Sequence, residues 1–145
     1  MKLFFPFFFC FPLFAFSQNQ NNIWDILESI QYVMVAGSDG PTFRAIENAT
    51  ADALDSTRVT LRGVFEPEKT GPITSNKILF SHHNHWTRGC RVGVPANFII
   101  TVVRTTQLRV SHNKACTLQG VLNINWDDPS KPLVVLTDAR CLSCD

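Results

Sequence analysis

The sequence predicts an α+β domain in which two N-terminal helices pack on a curved antiparallel sheet of about five or six strands, disulfide-stapled. Three observations carry that expectation. Apolar residues at Ile23, Ile26, Leu27, Ile30, Val33 and Met34 follow the spacing of an amphipathic helix. From Val59 onward the texture shifts to period two, most cleanly at Leu122, Ile124 and Trp126 against Asn123 and Asn125, as in a strand with one wet face. Cys90, Cys116, Cys141 and Cys144 form an even set able to staple such a sheet.

The 145-residue chain opens with Lys2 and an apolar run over residues 3–16, which holds eight of the 12 phenylalanines and closes on Ala15-Phe16-Ser17. A basic residue, a short apolar run and a small-residue end are the parts of a secretory signal peptide, here residues 1–17. The run is too short for a hydrocarbon core of ~30 Å, and no later stretch approaches the ~20 apolar residues of a spanning helix. The expected product is secreted and extracellular, with no transmembrane segment. Residues 18–22 read as a polar leader and residues 23–145 as a single domain.

In the first helix Asn22 can cap the start, Asp25 and Glu28 sit in opening turns where the helix dipole favours acids, and Gly37 stands where a C-terminal glycine belongs. A second helix is expected over residues 41–54, with Pro41 at its first position and Phe43, Ile46, Thr50, Ala53 and Leu54 on one side. Asn48-Ala49-Thr50 is an N-glycosylation sequon, and helical spacing places Asn48 on the polar side. Strands follow around Val59, Leu61 and Phe65, then over residues 77–81, 97–104, 107–112, 115–126 and 132–139. Residues 66–72 make a break, and Asp127-Asp128-Pro129-Ser130-Lys131 reads as a hairpin turn.

Cys10 leaves with the signal peptide, and the remaining four cysteines of an exported chain read as two disulfides with three possible pairings. Bonds from Cys141 and Cys144 back to Cys90 and Cys116 close longer loops than a Cys141–Cys144 bond, and longer loops remove more entropy from the unfolded chain. The crossed pairings are therefore preferred. Cys141-Leu142-Ser143-Cys144 also has the spacing of a redox pair or of half a zinc site. Only Asp145 follows it, so no helix start is at hand to lower a thiol pKa, and an oxidising compartment disfavours zinc.

The formal net charge of +1 conceals a segregation. Residues 18–68 carry a balance of −5, residues 69–126 a balance of +7 with no acid at all, and the last 19 residues −2. All four histidines lie in the basic stretch. Arg88, Arg91, Arg104, Arg109 and Lys114 are candidate anion-binding residues there, since a positive patch attracts glycosaminoglycans, phospholipid headgroups or an acidic partner. The bland reading is that the basic sheet balances the acidic helical half. Within Ser81-His82-His83-Asn84-His85-Trp86, His83 and His85 would share one face of a strand and are candidate metal ligands. No carboxylate lies nearby to orient such a site.

The order of two helices, then strands ending in Trp126, an acidic turn and Pro132-Leu133-Val134-Val135-Leu136, resembles the nuclear-transport-factor-two-like cone. That resemblance implies a pocketed scaffold used by enzymes and binding proteins alike; the strand region from Lys69 to Trp126 lacks the carboxylate that catalytic members place inside the cone. Cys90-Arg91-Val92, Phe98-Ile99-Ile100, Leu108-Arg109-Val110, Cys116 and Trp126 are similar in order to central strands of the netrin-like barrel of tissue inhibitors of metalloproteinases. Inhibition there depends on an N-terminal chelating cysteine, and here no cysteine lies between residue 17 and Cys90.

Ser81 beside His82 lacks a third group to orient a base, and no nucleophile elbow, phosphate loop or dinucleotide fingerprint occurs. No catalysis, cofactor or nucleic-acid partner is expected. The reading is a secreted domain acting by binding or as a structural component, with an unknown extracellular partner. Its alternative is a polyanion- or metal-binding module built on residues 69–126. A protease-inhibitor-like netrin-type domain is third. A pocket lined by Trp and Leu with a few polar groups would favour a small ligand; a shallow positive surface would favour a polyanion.

Overall fold

The computed structural model describes residues 20–38, 40–66, 76–82, 99–108, 110–111 and 114–145. Its elements are α1 (Gln20–Glu28), β1 (Tyr32–Gly37), β2 (Gly40–Ala45), α2 (Ala49–Asp52), β3 (Arg58–Phe65), β4 (Lys77–Ser81), β5 (Ile99–Val103), β6 (Ala115–Ile124) and β7 (Val134–Cys144). Strands β3 to β7 close into a barrel of order β3-β4-β5-β7-β6, while β1 and β2 form a separate hairpin. Every barrel contact is antiparallel except β5 with β7. A small closed barrel of this kind is an architecture that serves many unrelated functions.

The barrel corrects the expected fold class of two helices packed on an antiparallel sheet. The expected first helix breaks after Glu28, and Val33 and Met34 belong to β1. The expected second helix is a strand over its first residues, leaving only the four-residue α2. The reason is the turn. Gly37 pairs with Gly40, which opens β2 at φ +118, a conformation glycine adopts without strain, and so short a connection between paired strands makes a hairpin. Gly37 thus opens a turn where the sequence suggested a helix end. Met34 fits helical spacing from Ile30 and equally fits alternation with Tyr32 and Ala36, so apolar period alone leaves the segment ambiguous. Residues 107, 108, 110 and 111, inside another expected strand, are not in one.

Alternation along the barrel strands builds the core. Val59, Leu61 and Phe65 of β3, Ile78 and Phe80 of β4, Ile100 and Val102 of β5, Leu118 and Leu122 of β6, and Val134 and Leu136 of β7 are all buried. Helix α1 adds Ile23, Trp24 and Leu27 to the same core. Trp24 lies against Phe80, stacks on His82 at 5.1 Å, and donates its indole N–H to the Arg62 carbonyl at 2.9 Å. One helix therefore covers the barrel beside β3 and β4. At Gly63 an added Cβ would stand 2.3 Å from the Ser81 carbonyl oxygen, so the approach of β3 to β4 requires glycine there.

Closure depends on β7, which pairs with β5 on one side and β6 on the other. Its ladder with β6 shifts register twice, near Asp138 and near Leu142. Asp138 has φ 49, a conformation that Asp tolerates, and its carboxylate accepts from Arg58 at 2.5 Å. Such bulges bend and twist a strand, which is how β7 curves to meet both neighbours. No helix among the described residues is long and apolar enough to cross a membrane.

Candidate binding groove

The cysteines meet at the end of β7. Cys116 and Cys144 face each other across the β6–β7 ladder and are bonded, with Cα atoms 4.1 Å apart. The Cys141 sulfur is 3.2 Å from that of Cys144. Regular alternation would put residues three apart on opposite faces; the register shift pairs Cys141 with Leu118 and turns Leu142 outward, half exposed. Cys90 lies outside the described residues.

Asn48 sits before α2, not on a helix face. Its Oδ1 accepts from the backbone N–H groups of Thr50 (2.9 Å) and Ala51 (3.3 Å), as an N-cap does, and Nδ2 faces Ser29 at 3.5 Å. Arg88, Arg91, Arg109, His83 and His85 lie outside the described residues. Of the remaining anion-binding candidates, Lys114 is exposed just before β6, and Arg104 is half-buried after β5 with its N–H on the Asn76 carbonyl. Ser81 and His82 are directed to different carboxylates: the Ser81 hydroxyl donates to Glu66 and the His82 ring meets Glu28, both at 2.7 Å. The contact of His82 with Glu28 joins the basic stretch to the acidic helix. Arg58 and Arg62 pair instead with Asp138 and Asp145 near the C-terminus.

A groove of about 330 Å³ opens between the β1–β2 hairpin, the start of β5 and the β6–β7 loop. The rings of Tyr32, Phe43 and Trp126 line it with Leu133, and Arg44 and Asn125 bring polar groups. The loop wall is fixed by hydrogen bonds. Asn125 receives the Asp128 N–H on its Oδ1 (3.2 Å) and donates its amide to the Asp128 carbonyl (2.7 Å). The Trp126 indole N–H reaches Asp52 of α2 at 3.1 Å.

Two groups in this wall titrate away from their ordinary values. Burial pushes the Tyr32 phenol up to about 12. The Ser130 hydroxyl, then the Lys131 ammonium and the Ser130 N–H, hold the Asp128 carboxyl down to about 2. Lys131 lies 3.0 Å from Asp128, so these two charges offset each other. Arg44 makes no ion pair among the described residues and leaves the groove with an uncompensated positive charge.

Sequence reasoning missed the groove because its walls come from residues 32, 43–45, 99 and 125–134. The hairpin wall was expected to be helical, and a helix over residues 41–54 would have no strand edge for Phe43, Arg44 and Ala45 to present together. The legible signal was Trp126 next to a polar turn: a large ring at a strand end is a common wall of a concave site. Compared with known proteins, the chain matches no family model, no curated protein and no solved structure.

Proposed function

We propose that the chain is a small extracellular binding domain, exported by residues 1–17 and without catalytic chemistry of its own, whose ligand enters the groove between hairpin and barrel. The observation that carries this reading is the lining itself. Three aromatic rings and a leucine stand beside Arg44, Asn125, Asp128 and Lys131, a lining that can hold a ring and orient it by polar contacts. Of the basic residues in the stretch 69–126, Lys77, Arg104 and Lys114 lie among the described residues, and none of them lines the groove. In the same reading Asn48 carries a glycan on Nδ2, and Cys90 takes Cys141 as its partner.

The test is a two-dimensional NMR titration with small aromatic carboxylates such as benzoate and indole-3-acetate. Cross-peaks of Tyr32, Ala45 and Leu133 and the Trp126 indole are expected to move together, while the Trp24 indole stays fixed on the Arg62 carbonyl. Shifts scattered over the barrel with the groove silent would refute the proposal.

A further inference from the structure

The hairpin that walls the groove has an open edge, and the phase of its ladder says what that edge offers. Gly37 opposite Gly40 closes the two-residue connection as a hydrogen-bonded pair. Hydrogen-bonded and non-bonded pairs alternate along an antiparallel ladder, so Val35 with Thr42 and Val33 with Arg44 are bonded pairs too. The Ile46 N–H donates to the Gln31 carbonyl at 2.8 Å, which continues the same phase. The backbone N–H and C=O groups of Phe43 and Ala45 therefore point away from β1. Strand β2 has no other strand neighbour among the described residues.

The side chains on that edge are sorted by face. Tyr32 with Ala45, Met34 with Phe43 and Ala36 with Pro41 share one face, which is apolar throughout. Met34 is 68% exposed, so this face continues past the groove and stays uncovered. Arg44 sits on the other face beside Val33, without an ion pair among the described residues. The consecutive residues Phe43, Arg44 and Ala45 all line the groove. A strand can show consecutive residues to one space by presenting its edge.

We propose that β2 accepts an extended acidic peptide as a third strand, with an apolar side chain of the peptide opposite Phe43 and a carboxylate opposite Arg44. The inference rests on the groove being the binding site and names its occupant. Main-chain hydrogen bonds to residues 43 and 45 supply the affinity and the alternation of the two faces supplies the selectivity, as in other strand-addition modes. Directly opposed residues share a face, so the peptide must read apolar, acidic, apolar in phase with Phe43, Arg44 and Ala45. Pro41 has no N–H to give and ends the usable edge on that side.

The probe is a capped six-residue peptide of alternating valine and glutamate, measured by calorimetry and by amide hydrogen exchange on the full chain. Binding is expected to slow exchange at the Phe43 and Ala45 amides. A lysine-for-glutamate peptide should bind about tenfold more weakly, and Arg44→Glu, an exposed change, should reverse the preference. N-methylation of the peptide amides that face β2 should abolish binding, while methylation of the alternate amides should not. Peptide binding that leaves the Phe43 and Ala45 amides unprotected, or that ignores the sign at residue 44, would overturn strand addition. Aromatic carboxylates shifting the groove while the peptide does not bind would overturn this inference alone; silence to both probes would overturn the groove reading as well.

Discussion

Replacing Trp24 by alanine tests whether α1 belongs to the barrel's core. The side chain is 1% exposed, packs near Phe80 and His82, and gives its N–H to Arg62. Truncating a buried Trp to Ala costs ~3–5 kcal/mol, and the lost hydrogen bond adds about 1 kcal/mol. A domain of this size shifts its midpoint by roughly 3–5 °C per kcal/mol, between the values for smaller and larger domains. Trp24→Ala should therefore lower Tm by about 12–30 °C in a melt followed by far-ultraviolet circular dichroism. Trp24→Phe keeps a ring beside His82 and loses mainly the N–H, so it should fall well short of that. A Trp24→Ala shift under about 4 °C, with the cooperativity of the transition unchanged, would mean that the helix is not part of the core.

Other consequences are equally direct. Tyr32 is the only tyrosine in the sequence, so absorbance titration reads it alone; half-ionisation is expected near pH 12 rather than 10. Because its folded pKa is raised, the associated stability is full below pH 10 and is lost as the pH climbs through 12. A phenol titrating at its ordinary value would show that Tyr32 is fully solvated. At Asn48, cap and sequon separate cleanly: Asn48→Asp and Thr50→Ala should both abolish a glycan detected by mass while preserving stability, whereas Asn48→Ala should also cost ~1 kcal/mol by denaturant unfolding. A non-reduced digest should contain the Cys116–Cys144 peptide and a Cys90–Cys141 peptide. A Cys141–Cys144 peptide in its place would contradict the crossed arrangement.

The barrel strands were the legible part of the fold. Val59, Leu61 and Phe65 alternate with outward side chains because one face of β3 is wet, and the apolar run from Ile99 to Val103 marks a strand deep in the sheet. The hairpin was not legible, since Val33 and Met34 satisfy two periods at once and only the Gly37–Gly40 connection decides between them. Closure was hidden for another reason. It depends on two register shifts in β7, and no side-chain pattern around Asp138 or Leu142 announces an extra residue. The groove was hidden because it is assembled from distant segments: Trp126 was visible, but the strand edge across from it was not. The charge segregation was visible, and the fold brings its two parts together where the His82 ring meets Glu28.

The most direct test of groove binding is a crystal structure of the chain soaked with an aromatic carboxylate. Density is expected between Trp126 and Phe43, with the carboxylate toward Arg44. A ligand found only elsewhere on the barrel, or an empty groove beside a saturating concentration of ligand, would contradict it.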